Sequence, residues 1–338
     1  MMHAGIYTVK QWVMEEELNR IDGLLQDKSF ALVMAEALHD AYNEITGEPT
    51  TAFIKPGEEH EVIVVSAKSE KIAINLAGFY ALECGIEALA AQTDQTPVAL
   101  LQTIVDRKLD KQNWLLLKRF ANATWKAGQP FREMNRITRP NFIGASHLTR
   151  EDIEKDEVQI INAATKLLAS LKETNNDDVQ AQMEQLRSLL QDPNYAVEMA
   201  AWLHACYYTG QQQNPPPFLT NDDELDTVTK PVREIRIATN MAGFYAVESG
   251  INFLATSRGQ LPSTTLKQLV DNTISDEDKI LFARFANATW KAGQPFLELS
   301  RITKEIFTPF YFLNEEDIKK DLVQVMKAAK ILLKELKK

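Results

Sequence analysis

The sequence carries the same ionisable and amide side chains twice, 165 residues apart, the distance that separates Phe120 from Phe285. Each copy holds one histidine, one glutamate, one arginine, one asparagine and one lysine: His39, Glu83, Arg119, Asn122 and Lys126, then His204, Glu248, Arg284, Asn287 and Lys291. Glu83 and Glu248 lie in strongly apolar segments, where a carboxylate needs a cationic or hydrogen-bonding partner. These residues are therefore candidates for a binding site or for a buried polar network.

The arginine, asparagine and lysine of each copy share one helix face. Residues 119, 122 and 126 follow the i, i+3, i+7 spacing, and residues 284, 287 and 291 repeat it. Next to Trp125 and Trp290, this polar stripe predicts a structural network of hydrogen bonds and ion pairs that fixes helix register. A pocket for a polar or anionic small ligand is the alternative interpretation, and a solvated face without partners is the third.

A metal site is a weaker interpretation of the histidines. Residues 36–39 read Glu-Ala-Leu-His, the Glu-x-x-His spacing of carboxylate-bridged di-metal bundles. Together with Glu83, His204 and Glu248 it suggests four ligands, but Ala201 occupies the position equivalent to Glu36. We therefore predict half-buried histidines that bond a carbonyl or a carboxylate, with no metal and no other cofactor.

Nucleophilic catalysis finds no support in the motifs. Cys84 and Cys206 correspond to Ser249 and Ala41, so neither thiol is repeated. The sequence has no Gly-x-Ser-x-Gly and no phosphate-binding glycine loop. We predict no catalytic residues and expect a non-enzymatic binding or scaffold protein with a protein or small-molecule partner. A helical enzyme or metal-dependent protein that uses the repeated His/Glu pairs is the alternative.

The repetition extends to whole segments. Residues 75–86 and 240–251 read NLAGFYALECGI and NMAGFYAVESGI, and residues 120–131 and 285–296 both read FANATWKAGQPF. A constant shift without gaps predicts two tandem copies of one unit, over residues 1–172 and 173–338. We expect the copies to pack on each other about an approximate two-fold axis, as a fused dimer would.

Hydrophobic periodicity and capping signals predict an all-α fold with five or six helices in each copy. In the first copy six predicted helices cover residues 8–25, 28–45, 69–91, 111–127 with Gly128 as its end, Gln129 to about 138, and a last helix from Thr149. A short helix after Pro97 is a further possibility. A short hairpin, in which residues 51–54 and 61–65 flank KPGEEH, is an alternative for the segment that diverges most between the copies. The glycines in the third helix predict close backbone packing rather than ligand contact.

Composition limits the choice of partners. The chain has 338 residues, 45% hydrophobic and 25% charged, and a net charge of −10. An acidic protein repels phosphate backbones, so we expect no nucleic-acid partner. The sequence shows no secretory signal and no run of about 18 uncharged apolar residues. We therefore expect a cytoplasmic protein without membrane spans.

Overall fold

A computed structural model describes residues 8–49, 52–172, 178–210 and 212–338, and it confirms a mostly helical, all-α protein. The helices are α1 (Val9–Leu25), α2 (Lys28–Thr46), α3 (Ala67–Thr93), α4 (Pro97–Val105), α5 (Lys111–Arg132), α6 (Arg150–Lys172), α7 (Val179–Leu190), α8 (Pro193–Gly210), α9 (Asn221–Leu225), α10 (Val232–Asn240), α11 (Ala242–Arg258), α12 (Pro262–Val270), α13 (Asp276–Leu297) and α14 (Glu315–Leu336). Short 3-10 helices span Glu58–His60, Met134–Thr138, Leu299–Thr303 and Phe310–Phe312, and the strands are β1 (Val62–Ser66) and β2 (Thr227–Pro231).

The capping signals in the sequence set several helix starts. The Asp27 side chain accepts hydrogen bonds from the first backbone N–H groups of α2. Thr149 accepts from Asp152 N at the start of α6, and Asn314 accepts from Asp317 N at the start of α14. These side chains satisfy amide groups that have no partner within the helix.

The predicted helix end at Gly128 is wrong. Helix α5 continues through Pro130 to Arg132, and α13 passes Pro295 in the same way. Proline usually ends a helix because it lacks an N–H, but here the turn is held by packing. The rings of Phe131 and Phe296 stack with centroids 5.6 Å apart.

The hairpin alternative is also wrong. Residues 52–54 form no strand, and β1 instead pairs antiparallel with β2, from Val62 opposite Pro231 to Ser66 opposite Thr227. The partner strand lies in the other half of the sequence, which local turn signals cannot reveal.

Helix α3 lies at the centre of the molecule. It contacts α5, α13, α8 and α6, and residues Leu82 to Leu89 are all buried. Its equivalent in the second half is divided at Met241 into α10 and α11. Among the described residues, α3 is long and apolar enough to cross a membrane, yet 83% of its most apolar window is buried inside the protein. The core helix of a globular protein has the same length and composition.

The first two helices of each half pack on the other half. Helix α2 contacts α10 and α14, while α8 contacts α3 and α6. One hydrophobic cluster consequently contains residues of both halves. The side chains of α3, α5 and α13 are therefore enclosed by elements from the whole chain.

Candidate functional site

Two lysine–glutamate pairs connect the halves of the chain. Lys291 Nζ donates to both carboxylate oxygens of Glu83, at 2.8 and 2.7 Å, and Lys126 Nζ donates to Glu248. All four side chains are 0% exposed. Each pair joins a carboxylate of one half to an ammonium of the other, because α3 and α11 each pack against both α5 and α13.

Each carboxylate also accepts hydrogen bonds from its own helix. Cys84 Sγ donates to Glu83, and Ser249 Oγ donates to Glu248, both at 3.1 Å. Asn252 Nδ2 donates to Glu248 Oε1 at 2.8 Å. Both oxygens of Glu248 therefore accept hydrogen bonds, and the side chain is closed off from solvent.

Glu87 occupies the position equivalent to Asn252. Its oxygens accept from the backbone N–H groups of Phe310 and Tyr311, at 3.0 and 2.8 Å. Burial and the neighbouring Glu83 carboxylate raise the pKa of Glu87 well above its usual value. The upward shift favours the neutral acid at Glu87, and the equivalent Asn252 carries a neutral amide.

The remaining groups of the Glu83 cluster show no sign of an activated nucleophile. Burial and Glu83 raise the pKa of the Cys84 thiol well above its usual value, so it stays protonated. Burial lowers the pKa of Lys291, but the attraction of the surrounding acidic groups outweighs burial and raises the pKa above its usual value, so the ammonium keeps its proton. The cluster is a stable ion pair with a neutral thiol beside it.

The rest of the predicted stripe lies in the same interior. Arg119 donates to Thr256 Oγ1 at 3.1 Å, and burial lowers its pKa to about 10. Arg284 lies 5.1 Å from the Phe310 ring, and burial lowers its pKa too. Asn122 is buried, and Asn287 accepts a long contact of 3.8 Å from Cys84. No residue of the stripe lines the large cavity described below.

Glycine permits the close helix contacts that bring these residues together. A Cβ atom on Gly85 would lie 2.3 Å from Leu117 Cδ2, and one on Gly250 would lie 2.3 Å from Phe282 Cε1. The rings of Phe120 and Phe285 stack between α5 and α13 with centroids 4.2 Å apart. These contacts support the packing interpretation of the glycines.

A second pair of acidic residues, missed in the sequence, lies beside the lysines. Asp156 and Asp321 are half-buried at equivalent positions in α6 and α14. Burial, reinforced by Asp152, raises the pKa of Asp156 to about 7, and burial with Asp317 raises that of Asp321 to about 8. Lys126 lowers the pKa of Asp156 and Lys291 lowers that of Asp321, but in each case burial raises the pKa by more.

The histidines do not join the glutamates. The Nε2 atom of His39 is 3.0 Å from Asn43 Nδ2, and its ring packs on Phe53. The His204 ring packs on Tyr208 and Phe218, and its buried Nε2 has no hydrogen-bond partner among the described residues. Within the described ranges, no group of three or more His, Cys, Asp or Glu residues is arranged to hold a metal ion.

His204 lines a cavity of about 440 Å³ between α3, α5, α6, α8 and α13. The polar and aromatic lining residues are Lys71, Asn75, Thr124, Trp125, Gln129, Arg132, Gln159, His204, Tyr207, Tyr208 and Phe296. Gln129 is held in place because its Nε2 donates to Trp125 O and its Oε1 accepts from Arg136 Nε at 2.8 Å. Both halves of the sequence supply walls, and the volume lies in the usual range of small-molecule sites, ~300–1,000 Å³.

The cavity contains positions at which the two halves differ. Arg132 follows the identical FANATWKAGQPF segment, and Leu297 stands at the equivalent position. Tyr208 corresponds to Asn43, the residue that bonds His39 in the other half. His204 is one of the repeated residues, whereas Arg132 and Tyr208 are not. The signal that marks them is a difference within an otherwise repeated pattern.

Comparisons of the chain with protein-family models, with characterised proteins and with solved structures found no significant match.

Proposed function

We propose that this chain is a non-enzymatic binding protein in which a duplicated helical scaffold carries one small-molecule site, the cavity at His204. The observation that carries the proposal is the buried Nε2 atom of His204, which has no partner among the described residues, although the equivalent atom of His39 bonds Asn43. A buried polar atom without a hydrogen bond costs about 1–3 kcal/mol, which a ligand can recover.

Reciprocal contacts support a duplication with approximate two-fold symmetry. Lys126 meets Glu248 as Lys291 meets Glu83. The halves also repeat an internal contact, since Thr124 donates to Ala77 O within the first half and Thr289 to Ala242 O within the second, each at 3.0 Å. Residue i of one half meeting residue j of the other, with the reverse also true, is the pattern of an isologous interface.

The same contacts favour a structural role over catalysis for the repeated polar residues. General acid–base and nucleophilic groups must reach a reacting atom. The two lysine–glutamate pairs are 0% exposed, and their hydrogen bonds go to each other and to neighbouring side chains. Their role in this proposal is to hold α3, α5, α11 and α13 in register, so that the cavity keeps its shape.

A fragment screen by saturation-transfer NMR tests the site. We expect the wild-type chain to bind fragments and Tyr208→Asn to weaken the hits, because the new amide is placed to bond His204 as Asn43 bonds His39. Ile74→Phe, which extends a side chain that lines the cavity, should also weaken them. Tyr311→Asn is the matched control, since Tyr311 is 51% exposed and lies outside the cavity.

Circular dichroism and thermal unfolding establish that each variant is folded before its binding is compared. The proposal is wrong if no fragment binds the wild-type chain at millimolar concentration. It is equally wrong if the hits survive in folded Tyr208→Asn and Ile74→Phe.

A further inference from the structure

We propose that the cavity at His204 selects small molecules that combine a flat aromatic ring with one anionic group. This inference rests on the proposed function and adds the chemical class of the ligand. Three features of the walls carry it: their charge, the environment of Arg132 and the arrangement of the rings.

The charge of the walls is opposite to that of the protein. The chain has a net charge of −10, yet no Asp or Glu occurs among the described residues that line the cavity, whereas Lys71 and Arg132 do. Lys71 donates to Asp223 at 2.8 Å, so its charge is already balanced. The cation that defines the site is therefore Arg132.

Arg132 lies in a cationic neighbourhood. Its acidic neighbour Glu70 accepts a hydrogen bond from Lys230 at 3.1 Å, and Lys230 also donates to the Arg132 carbonyl. Arg136, which holds Gln129 at the cavity wall, and Arg139 add positive charge nearby. The pKa of Arg136 is lowered to about 10, mainly by burial and also by the positive charges of Arg132 and Arg139. An anion in the cavity would relieve the repulsion among these three arginines.

Aromatic rings form much of the remaining wall. Trp125, Tyr207, Tyr208 and Phe296 line the cavity together with the His204 ring. Flat faces of this kind stack on planar ligands, and the amides of Asn75 and Gln159 add hydrogen-bonding groups. A guanidinium pairs with carboxylate or phosphate oxygens through two parallel bonds, which gives the anionic group a defined place.

The positions equivalent to Arg132 and Tyr208 lack these features. Leu297 replaces Arg132, and Asn43 replaces Tyr208 and bonds the histidine. The cavity thus takes its cation from the first half and its extra ring from the second, and the equivalent residues supply neither. This difference makes Arg132→Leu and Tyr208→Asn informative variants, because each installs a residue that the same chain tolerates at the equivalent position.

Isothermal titration calorimetry with paired probes tests the ligand class. The probes are benzoate, indole-3-carboxylate and 2-naphthoate, each compared with its neutral carboxamide. A hydrogen bond to a charged group is worth enough to change affinity by about tenfold to a hundredfold. We expect at least one carboxylate to bind that much more tightly than its amide, and Arg132→Leu to remove the difference. Lys304→Leu, which removes an exposed positive charge in the other half, should leave it intact.

The outcomes separate the ligand class from the site itself. Equal affinities for a carboxylate and its amide, or a preference that survives Arg132→Leu, would overturn the ligand class and leave the cavity as a binding site. If none of the six probes binds while neutral or cationic fragments do, the ligand class again fails and the site remains. If no fragment of any charge binds, the proposed function fails as well.

Discussion

Replacing Lys126 by methionine removes the ammonium that faces Glu248 and keeps a side chain of similar length. Glu248 is 0% exposed and would retain only the hydroxyl of Ser249 and the amide of Asn252 as donors. Removing one partner of a buried ion pair costs about 3–5 kcal/mol, because the charge that remains has no counter-ion. Globular domains have total stabilities of about 5–15 kcal/mol, so this loss is a large fraction of the stability available.

The double variant Lys126→Met/Glu248→Gln separates the pair from the volume it fills. Glutamine keeps an oxygen for Ser249 and Asn252 and carries no charge. We expect most of the stability to return, since neutral replacements of a buried ion pair are often harmless. Lys291→Met should cost at least as much as Lys126→Met, because Lys291 donates to both oxygens of Glu83.

Urea unfolding followed by circular dichroism at 222 nm gives the free energies through the linear dependence on denaturant. Lys155→Met is the control. Lys155 Nζ lies 2.9 Å from Glu151 Oε1 in a solvent-exposed ion pair, and such pairs contribute at most about 1 kcal/mol. A loss for Lys126→Met no larger than for Lys155→Met would refute the reasoning. So would a double variant as unstable as the single one.

Three further predictions concern the neighbouring residues. Glu87→Gln should cost about 1–3 kcal/mol, because both oxygens of Glu87 accept backbone N–H bonds and an amide has only one oxygen to accept them. Asn252→Asp should also cost about 1–3 kcal/mol, because it removes the donor to Glu248, and urea unfolding checks both. The folded-state pKa of Asp321, about 8, lies above the unfolded value, so the stability contributed by its protonation is fully present below about pH 4 and is lost as pH rises through 8. Between pH 5 and 9 the melting temperature of the wild type should therefore fall relative to that of Asp321→Asn. Gly85→Ala should cost about 1–3 kcal/mol, because the added Cβ overpacks the contact with Leu117. Gly23→Ala should stabilise the protein by up to about 1 kcal/mol, because Gly23 lies in an α-helix and nothing lies within 4 Å of the added Cβ. Equal changes in the free energy of unfolding in urea would contradict the packing argument.

Local signals predicted the helices well and their partners poorly. The N-cap at Asp27 and the start at Thr149 could be identified because capping depends on residues three positions apart. The passage of α5 through Pro130 could not be predicted, since it depends on Phe131 packing against a ring 165 residues away. The hairpin alternative for residues 61–65 is wrong for the same reason, because β1 pairs with a strand in the other half of the sequence.

The candidate site divides along similar lines. Burial of Glu83 and its need for a cation followed from the apolar segment around it, but the choice of Lys291 rather than Lys126 depends on how the halves are arranged. The repeated residues alone could not predict the cavity. Arg132 and Tyr208 stand out only where the pattern changes, and only the fold places them together.

The crossed ion pairs explain where the two halves can differ. Each lysine bonds a carboxylate of the opposite half, so changing Lys126 alone removes the bonded counter-ion of the buried Glu248, at a cost of about 3–5 kcal/mol. The charged residues of these pairs can therefore change only together with their partners. An uncharged neighbour can be replaced by another uncharged residue, as the equivalent positions Cys84 and Ser249 illustrate. Arg132 lies just beyond the identical segment, in the wall of the cavity, and its side chain forms no buried ion pair with the other half among the described residues. Stability thus keeps the centre of the two halves alike, while the cavity positions are available for binding specificity.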